Sequence, residues 1–228
     1  MISENVLSAD NHAGKAQYSF LKQKYMAYLF GVYLGDGCCN KSGRHYNFKI
    51  VSEDDDVVRK TMKIVNKMFN RNYSISFQKP NKTRLSCLSV YSNKSMFNLL
   101  KEETWNKSRI PEFVKKSNSA IKAEFVAGLM DTDGYASHGI NKFGQQRFSL
   151  GFVNSSKWID EFIGFLTRLK VKIGKKTLKK KYRSLNEKDC YQININLRSF
   201  VEAGLYFSCK RKQRILDNYL SNVRYQSY

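Results

Sequence analysis

Two short stretches of this 228-residue chain end in the same way. Leu29-Phe30-Gly31-Val32-Tyr33-Leu34-Gly35-Asp36-Gly37 is an apolar run that closes on Asp-Gly. Val126-Ala127-Gly128-Leu129-Met130-Asp131-Thr132-Asp133-Gly134 does the same about a hundred residues later. Helix-forming sequence precedes each, Leu21 to Tyr28 and Ala120 to Phe125. Both stretches therefore read as the ends of buried helices. Gly37 and Gly134 fall at the C′ position, where a glycine commonly stops a helix.

This reading puts Asp36 and Asp133 last in their helices. A carboxylate there is repelled by the partial negative charge of the helix C-terminus. Two such residues at the matched point of a repeat call for a bound cation. Gly31 and Gly35 share one helix face, as do Gly128 and Thr132, and small residues at this spacing let two helix backbones approach closely. Side-by-side packing of the two helices would bring the carboxylates together. Paired carboxylates form a hard oxygen site suited to Mg²⁺.

The rest of the composition narrows the partner. Lys and Arg number 40 against 19 Asp and Glu, a formal net charge of +21. Such a surplus opposes compaction and calls for an acidic partner, nucleic acid first and an anionic membrane second. No apolar run is long enough to span a bilayer and no signal peptide is evident, so no membrane role and no secretion are expected. The five cysteines (Cys38, Cys39, Cys87, Cys190, Cys209) are odd in number and include no Cys-x-x-Cys pair. That argues against a disulfide scaffold or zinc and for a reduced, intracellular protein. Cys38 and Cys39 read as fillers of a tight turn. His12, His45 and His138 lack ligand spacing, and neither a P-loop nor a nucleophile elbow occurs.

Both halves repeat one order of elements. Residues 1–19 read as a loose polar arm, 20–116 as the first repeat and 117–228 as the second. In the first, Tyr46 to Val51 alternates as a strand, and a helix with Val57, Val58, Met62, Val65 and Met68 on its apolar face runs to Phe69. Strands at Tyr73 to Phe77 and Leu85 to Tyr91 follow, then a helix from Ser95 to Glu102. The second half offers a strand at Arg147 to Phe152, a helix through Leu169, and strands at Val171 to Leu178 and Tyr191 to Arg198. Helices from Phe200 to Leu205 and Gln213 to Val223 close the chain. The fold class is α+β: two αββαββα-like repeats, each an antiparallel sheet with helices on one face and the other face open.

The paired motifs resemble those of the LAGLIDADG homing endonucleases, specifically the single-chain members with two motifs. The resemblance runs from about Tyr25 to about Tyr219. One departure is visible: the earlier acidic position of the motif is Leu34 in the first copy and Asp131 in the second, whereas the final one is Asp in both. The resemblance implies pseudo-twofold sheets forming a saddle over double-stranded DNA. It also implies a metal set of Asp36 and Asp133 with Gly35 and Thr132, and one lysine per half well downstream of the motif. Lys107 and Lys210 fit that place as catalytic residues, and Lys49 could help to hold water. The expected cofactor is Mg²⁺, with Mn²⁺ as a substitute and Ca²⁺ binding without cleavage.

The open strand faces are the natural surface for reading DNA, because a two-stranded ribbon fits the major groove and Gln, Asn and Arg match base edges. Asn47, Lys49, Arg84 and Ser86 are candidates in the first half. Gln145, Arg147, Gln192, Asn194, Asn196 and Arg198 are candidates in the second. Lys180, Lys181 and Arg183, in the basic run Lys179 to Arg183, are expected to grip phosphate. Three functions remain open: a sequence-specific endonuclease, an RNA-splicing maturase that would take intron RNA, and a DNA-binding protein without catalysis. Retention of both Asp36 and Asp133 favours the nuclease, working as a monomer. Met1 and the final Gln226-Ser227-Tyr228 favour a free-standing or intron-encoded enzyme over an intein. A bacterium, a phage-infected cell or an organelle is the expected setting.

Overall fold

The structure is a computed structural model that describes residues 6–78, 85–91, 93–154, 158–179 and 190–225. Its first half runs α1 (Val6–Leu34), β1 (Cys38–Ser42), β2 (His45–Ser52), α2 (Asp55–Phe69), β3 (Ile75–Gln78), β4 (Leu85–Val90), α3 (Lys94–Glu103) and α4 (Glu112–Lys116). The second runs α5 (Ser119–Thr132), β5 (Gly134–Ile140), β6 (Gln146–Asn154), α6 (Ile159–Arg168), β7 (Thr177–Lys179), β8 (Cys190–Asn194), α7 (Leu197–Glu202) and α8 (Lys210–Tyr225). Each half holds a four-stranded antiparallel sheet, in the orders β1-β2-β4-β3 and β5-β6-β8-β7. The expected α+β double repeat is present.

The two motif helices, α1 and α5, make the central contact between the halves. Their glycines explain how. A Cβ on Gly31 would lie 2.8 Å from the Leu129 nitrogen and closer still to the Phe125 carbonyl. A Cβ on Gly128 would lie 3.0 Å from the Val32 nitrogen, with the Tyr28 carbonyl nearer. Here one helix backbone touches the other, which no side chain would permit. Around this seam a single apolar cluster, from Ala27 to Leu216, draws on both halves. Phe48 and Ile50 of β2 point inward, as do Leu150 and Phe152 of β6, because alternate residues of a strand face opposite sides.

Four expectations are corrected. Gly37 and Gly134 are not left-handed caps, since the positive-φ glycines among the described residues are Gly43, Gly144 and Gly204. They are small for space: a Cβ on Gly37 would meet the Tyr33 Cα at 2.7 Å, and one on Gly134 the Met130 Cα at 2.6 Å. Cys38 and Cys39 are not turn fillers but open β1. The strand expected over Val171 to Leu178 is confined to Thr177–Lys179, with one isolated bridge from Ile173 to Ile195. Finally, α1 starts at Val6, inside the stretch expected to be an arm.

A methyl group at the α1–α5 crossing has nowhere to go except by pushing the helices apart. Gly31→Ala or Gly128→Ala is therefore expected to cost about 3 kcal/mol or more, the upper end for overpacking. Urea unfolding checks this; a loss below about 1 kcal/mol would mean the helices separate at little cost.

Candidate active site and nucleic-acid face

The seam delivers the two carboxylates to one place. A Cβ on Gly35 would sit 2.8 Å from the Thr132 Cβ and 3.3 Å from Asp133 Oδ2, so the end of α1 lies against the end of α5. The Asp133 carboxylate, half-buried, accepts a hydrogen bond from Asn154 Nδ2 at the end of β6. Burial, with the charge of Asp36 added, pushes its pKa up to about 7 against the pull of Asn154, Lys107 and Lys212. Asp36 is open to solvent on one side and crowded by protein on the other. Desolvation raises its carboxyl above the ordinary range, against the opposing pull of Lys212 and Lys107.

A lysine attends each motif. Lys107 Nζ donates to the Gly35 carbonyl at 2.7 Å. It arrives on three consecutive left-handed residues, Trp105, Asn106 and Lys107, with φ of 45, 53 and 67°. That uncommon run is braced by the buried Thr104, whose Oγ1 accepts from the Lys107 amide at 3.1 Å and donates to the Leu100 carbonyl at 2.7 Å. Burial lowers the Lys107 pKa, opposed by Asp133 and Asp36.

In the second half the lysine at the motif is Lys212, not the expected Lys210. Lys210 is the first residue of α8; its amide donates to Asp56 Oδ2 at 2.6 Å, and its side chain lines a different cleft beside Arg59 and Lys60. The two-residue step from Lys210 to Lys212, about half a helical turn, puts them on opposite sides of α8, which sequence spacing alone did not resolve in so basic a run. Lys212 is buried. Its Nζ donates to the carbonyls of Met130 (3.0 Å), Asp131 (2.7 Å), Thr132 (3.3 Å) and Gly134 (2.7 Å). Burial lowers its pKa too, against the pull of the Asp131 and Asp54 carboxylates.

The donor set fits a hard divalent cation: two carboxylates, both made more basic by burial, at the mouth of one seam. The carbonyls of Gly35 and Thr132, expected as further ligands, take the ammonium groups of Lys107 and Lys212. Each carbonyl keeps a second lone pair.

Strand register separates the two faces of each sheet. In the second, Tyr135, Gly151 and Asn194 lie in one row across the open face, and Val153, Gln192 and Thr177 in the next. Gln192 Nε2 donates to Tyr135 Oη, which donates to Asn194 Oδ1, both at 2.8 Å. Tyr135 was missed in the sequence; it lies across Gly151, where a Cβ would collide with its ring. Arg147 is exposed on the same face. In the first sheet Lys49 is exposed on the open face, in register with Cys38 and Ser89. Asn47, two residues earlier on β2, shares that face, although its Oδ1 is buried without a hydrogen-bond partner.

Several expected contacts lie elsewhere. Ser86 is on the inner face, buried, with its hydroxyl donating to Asp55 of α2 at 2.6 Å. Asn196 is past the end of β8 and caps α7, accepting from the Ser199 amide at 2.9 Å. Arg198 follows on α7 and pairs with Glu202 at 2.8 Å. An Asn before a helix is a cap as readily as a strand residue, and the cap won. Gln145 closes the β5–β6 turn through Asn141. Arg84, Lys180, Lys181 and Arg183 lie outside the described residues.

No protein-family model matches the chain. A "Probable translation initiation factor IF-2" of Methanocaldococcus jannaschii is 26% identical over 226 residues, covering 93% of this chain and 18% of that protein. The alpha subunit NrdEB of a ribonucleoside-diphosphate reductase of Bacillus subtilis is 27% identical over 134 residues, 54% of this chain and 12% of that one. The chain thus spans less than a fifth of the curated relatives it matches. Among solved structures it is similar to mesophilic variants of the homing endonuclease I-DmoI, with a TM-score of 0.53 and 21% identity over 80% of this chain and 93% of that one. The homing endonuclease I-WcaI bound to its DNA recognition sequence gives 0.54 and 14%, covering 84% and 86%. The N-terminal LAGLIDADG domain of WhiA gives 0.51 and 15%, covering 85% and 87%.

A carboxyl with a pKa raised by folding holds a proton that the unfolded chain has released. For Asp133 that window lies between roughly pH 4 and its folded value of about 7. Stability of the metal-free protein should fall as pH rises through it. Asp133→Asn is expected to flatten that fall and to raise the melting temperature at pH 8 in EDTA by a few degrees, about 2–4 °C per kcal/mol. A lower melting point for the variant under those conditions would show that the carboxylate is not held under repulsion.

Proposed function

We propose that this chain, which has the LAGLIDADG fold, is a site-specific DNA endonuclease that makes double-strand breaks. The observation that carries the reading is the matched pair of crowded carboxylates, Asp36 and Asp133, each beside a lysine at one end of the α1–α5 seam. The net charge of +21 supports a polyanionic substrate, and the open sheet faces carry exposed Lys49 and Arg147 with a row of amides. The solved homing endonucleases it resembles include one bound to DNA with Mn and one with Ca.

Asp36 and Asp133 would hold Mg²⁺, which on binding would polarise the scissile phosphate and make a bound water a better nucleophile. The rest falls to the chain. Lys107 and Lys212 would set positive charge close to where the phosphate gains negative charge, and their burial would strengthen that effect relative to bulk water. Asn154 fixes the orientation of the Asp133 carboxylate. The two halves supply matched but unequal sites within one polypeptide, which suits a monomer on an asymmetric duplex.

Asp36→Asn or Asp133→Asn should lower cleavage by at least about a hundredfold while the DNA affinity changes little. Cutting in Mg²⁺ or Mn²⁺ should cease when Ca²⁺ replaces them, with binding retained. Normal double-strand cutting by either variant, with Mg²⁺ as the one metal present, would sink the assignment. A chain that binds duplex DNA but never cuts would support the non-catalytic reading.

The amide row makes a separate prediction. Gln192→Ala or Asn194→Ala removes one bidentate donor–acceptor group, worth about 1–3 kcal/mol of base discrimination. Each should relax preference at one or two base pairs, whereas Lys179→Ala, in the basic run expected to grip phosphate, should weaken all sequences alike and reduce the salt dependence by about one unit of slope. An affinity panel over single-base variants at several salt concentrations distinguishes them. Uniform loss for the amide variants would mean that the sheet face does not read bases.

A further inference from the structure

The two lysines reach their motifs by different routes, and the motif sequences differ at one place that matches. In the first copy the position two residues before the final Asp is Leu34; in the second it is Asp131. Leu34 is ordinary core. Asp131 is equally buried and fully engaged: Oδ2 accepts from Tyr28 Oη at 2.8 Å, and Oδ1 accepts from the Cys209 amide at 2.8 Å. Cys209 stands immediately before α8, and Lys212 projects from the first turn of that helix. The carboxylate therefore fixes the start of α8, and α8 in turn carries Lys212 to the carbonyls of Met130, Asp131, Thr132 and Gly134.

We propose that Asp131 is a positioning residue that sets Lys212 at the second motif by holding the Cys209 amide. The first half needs no such acid. Lys107 is delivered by its own left-handed turn and by Thr104. An apolar residue at that motif position is then tolerated, as Leu34 shows. The site the lysine attends is the one assigned under the proposed endonuclease activity, so the inference rests on that reading for its consequence. The placement of Lys212 can be tested without it.

The start of α8 also has supports outside Asp131. Arg211 makes a two-point contact with Asp54 at 2.8 Å for each bond, and the Lys210 amide meets Asp56. These lie on the exposed side of the helix and on α2 of the first half. They steer the helix laterally. The Asp131 contact is the buried one, next to the seam, and it is nearest in sequence to the carbonyls that Lys212 caps.

The experiment is labelling of the full chain with an amine-reactive reagent, read lysine by lysine by mass spectrometry, with DNA cleavage measured in parallel. In the native chain Lys212, 5% exposed, should be protected. Asp131→Leu, which copies the first motif, should speed labelling of Lys212 by about tenfold or more while Lys107 is unchanged, and should lower kcat by a similar factor with KM for DNA nearly constant. Asp131→Asn keeps an oxygen for the Cys209 amide and should restore protection and rate to within about threefold of the native chain. Tyr28→Phe removes the other partner of Asp131 and should leave Lys212 protected. If Asp131→Leu does not fold, Asp131→Ser, too short to reach Cys209, takes its place with the same expectation. The proposal is overturned if Lys212 stays protected in Asp131→Leu or Asp131→Ser, if Asp131→Asn behaves like Asp131→Leu, or if Tyr28→Phe exposes Lys212 equally. Were the native chain not to cut DNA, the labelling would still decide the placement, and the endonuclease reading would fail alone.

Discussion

Everything at the site depends on two helix backbones touching. Gly31 and Gly128 remove the side chains that would hold α1 and α5 apart, and the contact continues to Gly35 against Thr132. Tight packing recovers dispersion energy that a gap would forfeit. Its larger effect is geometric. Two carboxylates on separate halves of the chain acquire a fixed separation because the seam between them has no slack. Protein interiors are close-packed and low in compressibility, so the distance is set by the glycines rather than by the acids themselves. The cost is electrostatic: like charges are brought together at helix ends that already carry partial negative charge.

The lysines offset part of that cost, and the way they do so is unusual for buried cations. Lys212 meets four carbonyl oxygens with three protons, so at least one contact is shared. Its partners are dipoles at the end of α5, not a carboxylate. A full ion pair with Asp133 would neutralise the acid and remove it from use. A lysine on the adjacent carbonyls compensates the helix terminus and still leaves the carboxylate available. Lys107 does the same more loosely with the single carbonyl of Gly35. The arrangement gathers two acids and two ammonium groups at one end of the seam, the combination that the proposed phosphodiester cleavage would use.

The duplication and both Asp-Gly ends were legible in the sequence because they are local, periodic and repeated. The glycine and threonine spacing predicted the seam for the right reason. Other features were read from patterns that admit two outcomes. Tyr191 to Arg198 alternates well enough to be one strand, but Asn196 is also a good helix cap, and nothing local shows that α7 begins at Leu197. Ser86 shares strand parity with the buried Leu88 and Val90, so alternation already put it on the inner face, and its polar side chain drew the reading to the wrong side. The choice of Lys212 over Lys210 depends on the phase of α8 relative to α5, a tertiary fact held by Cys209 and Asp131 across 78 residues. Residues that meet through long-range packing leave little trace in sequence when the surrounding composition is as basic as it is here.

The difference between Leu34 and Asp131 bears on how such a repeat can diverge. Each motif here has a lysine at its end, but the two are not held by the same means. The first copy uses local backbone: a left-handed run and a threonine within a few residues of Lys107. The second uses a long-range contact through a buried carboxylate. Local delivery makes the motif position free to be apolar. Long-range delivery obliges it to be polar and satisfied, because a buried acid without partners would be costly. An exchange of Leu34 and Asp131 would thus not be symmetric in effect. Leu34 is packed in an apolar core, where an acid would have to be desolvated, while a leucine at 131 would leave two buried donors, Tyr28 Oη and the Cys209 amide, without their acceptor.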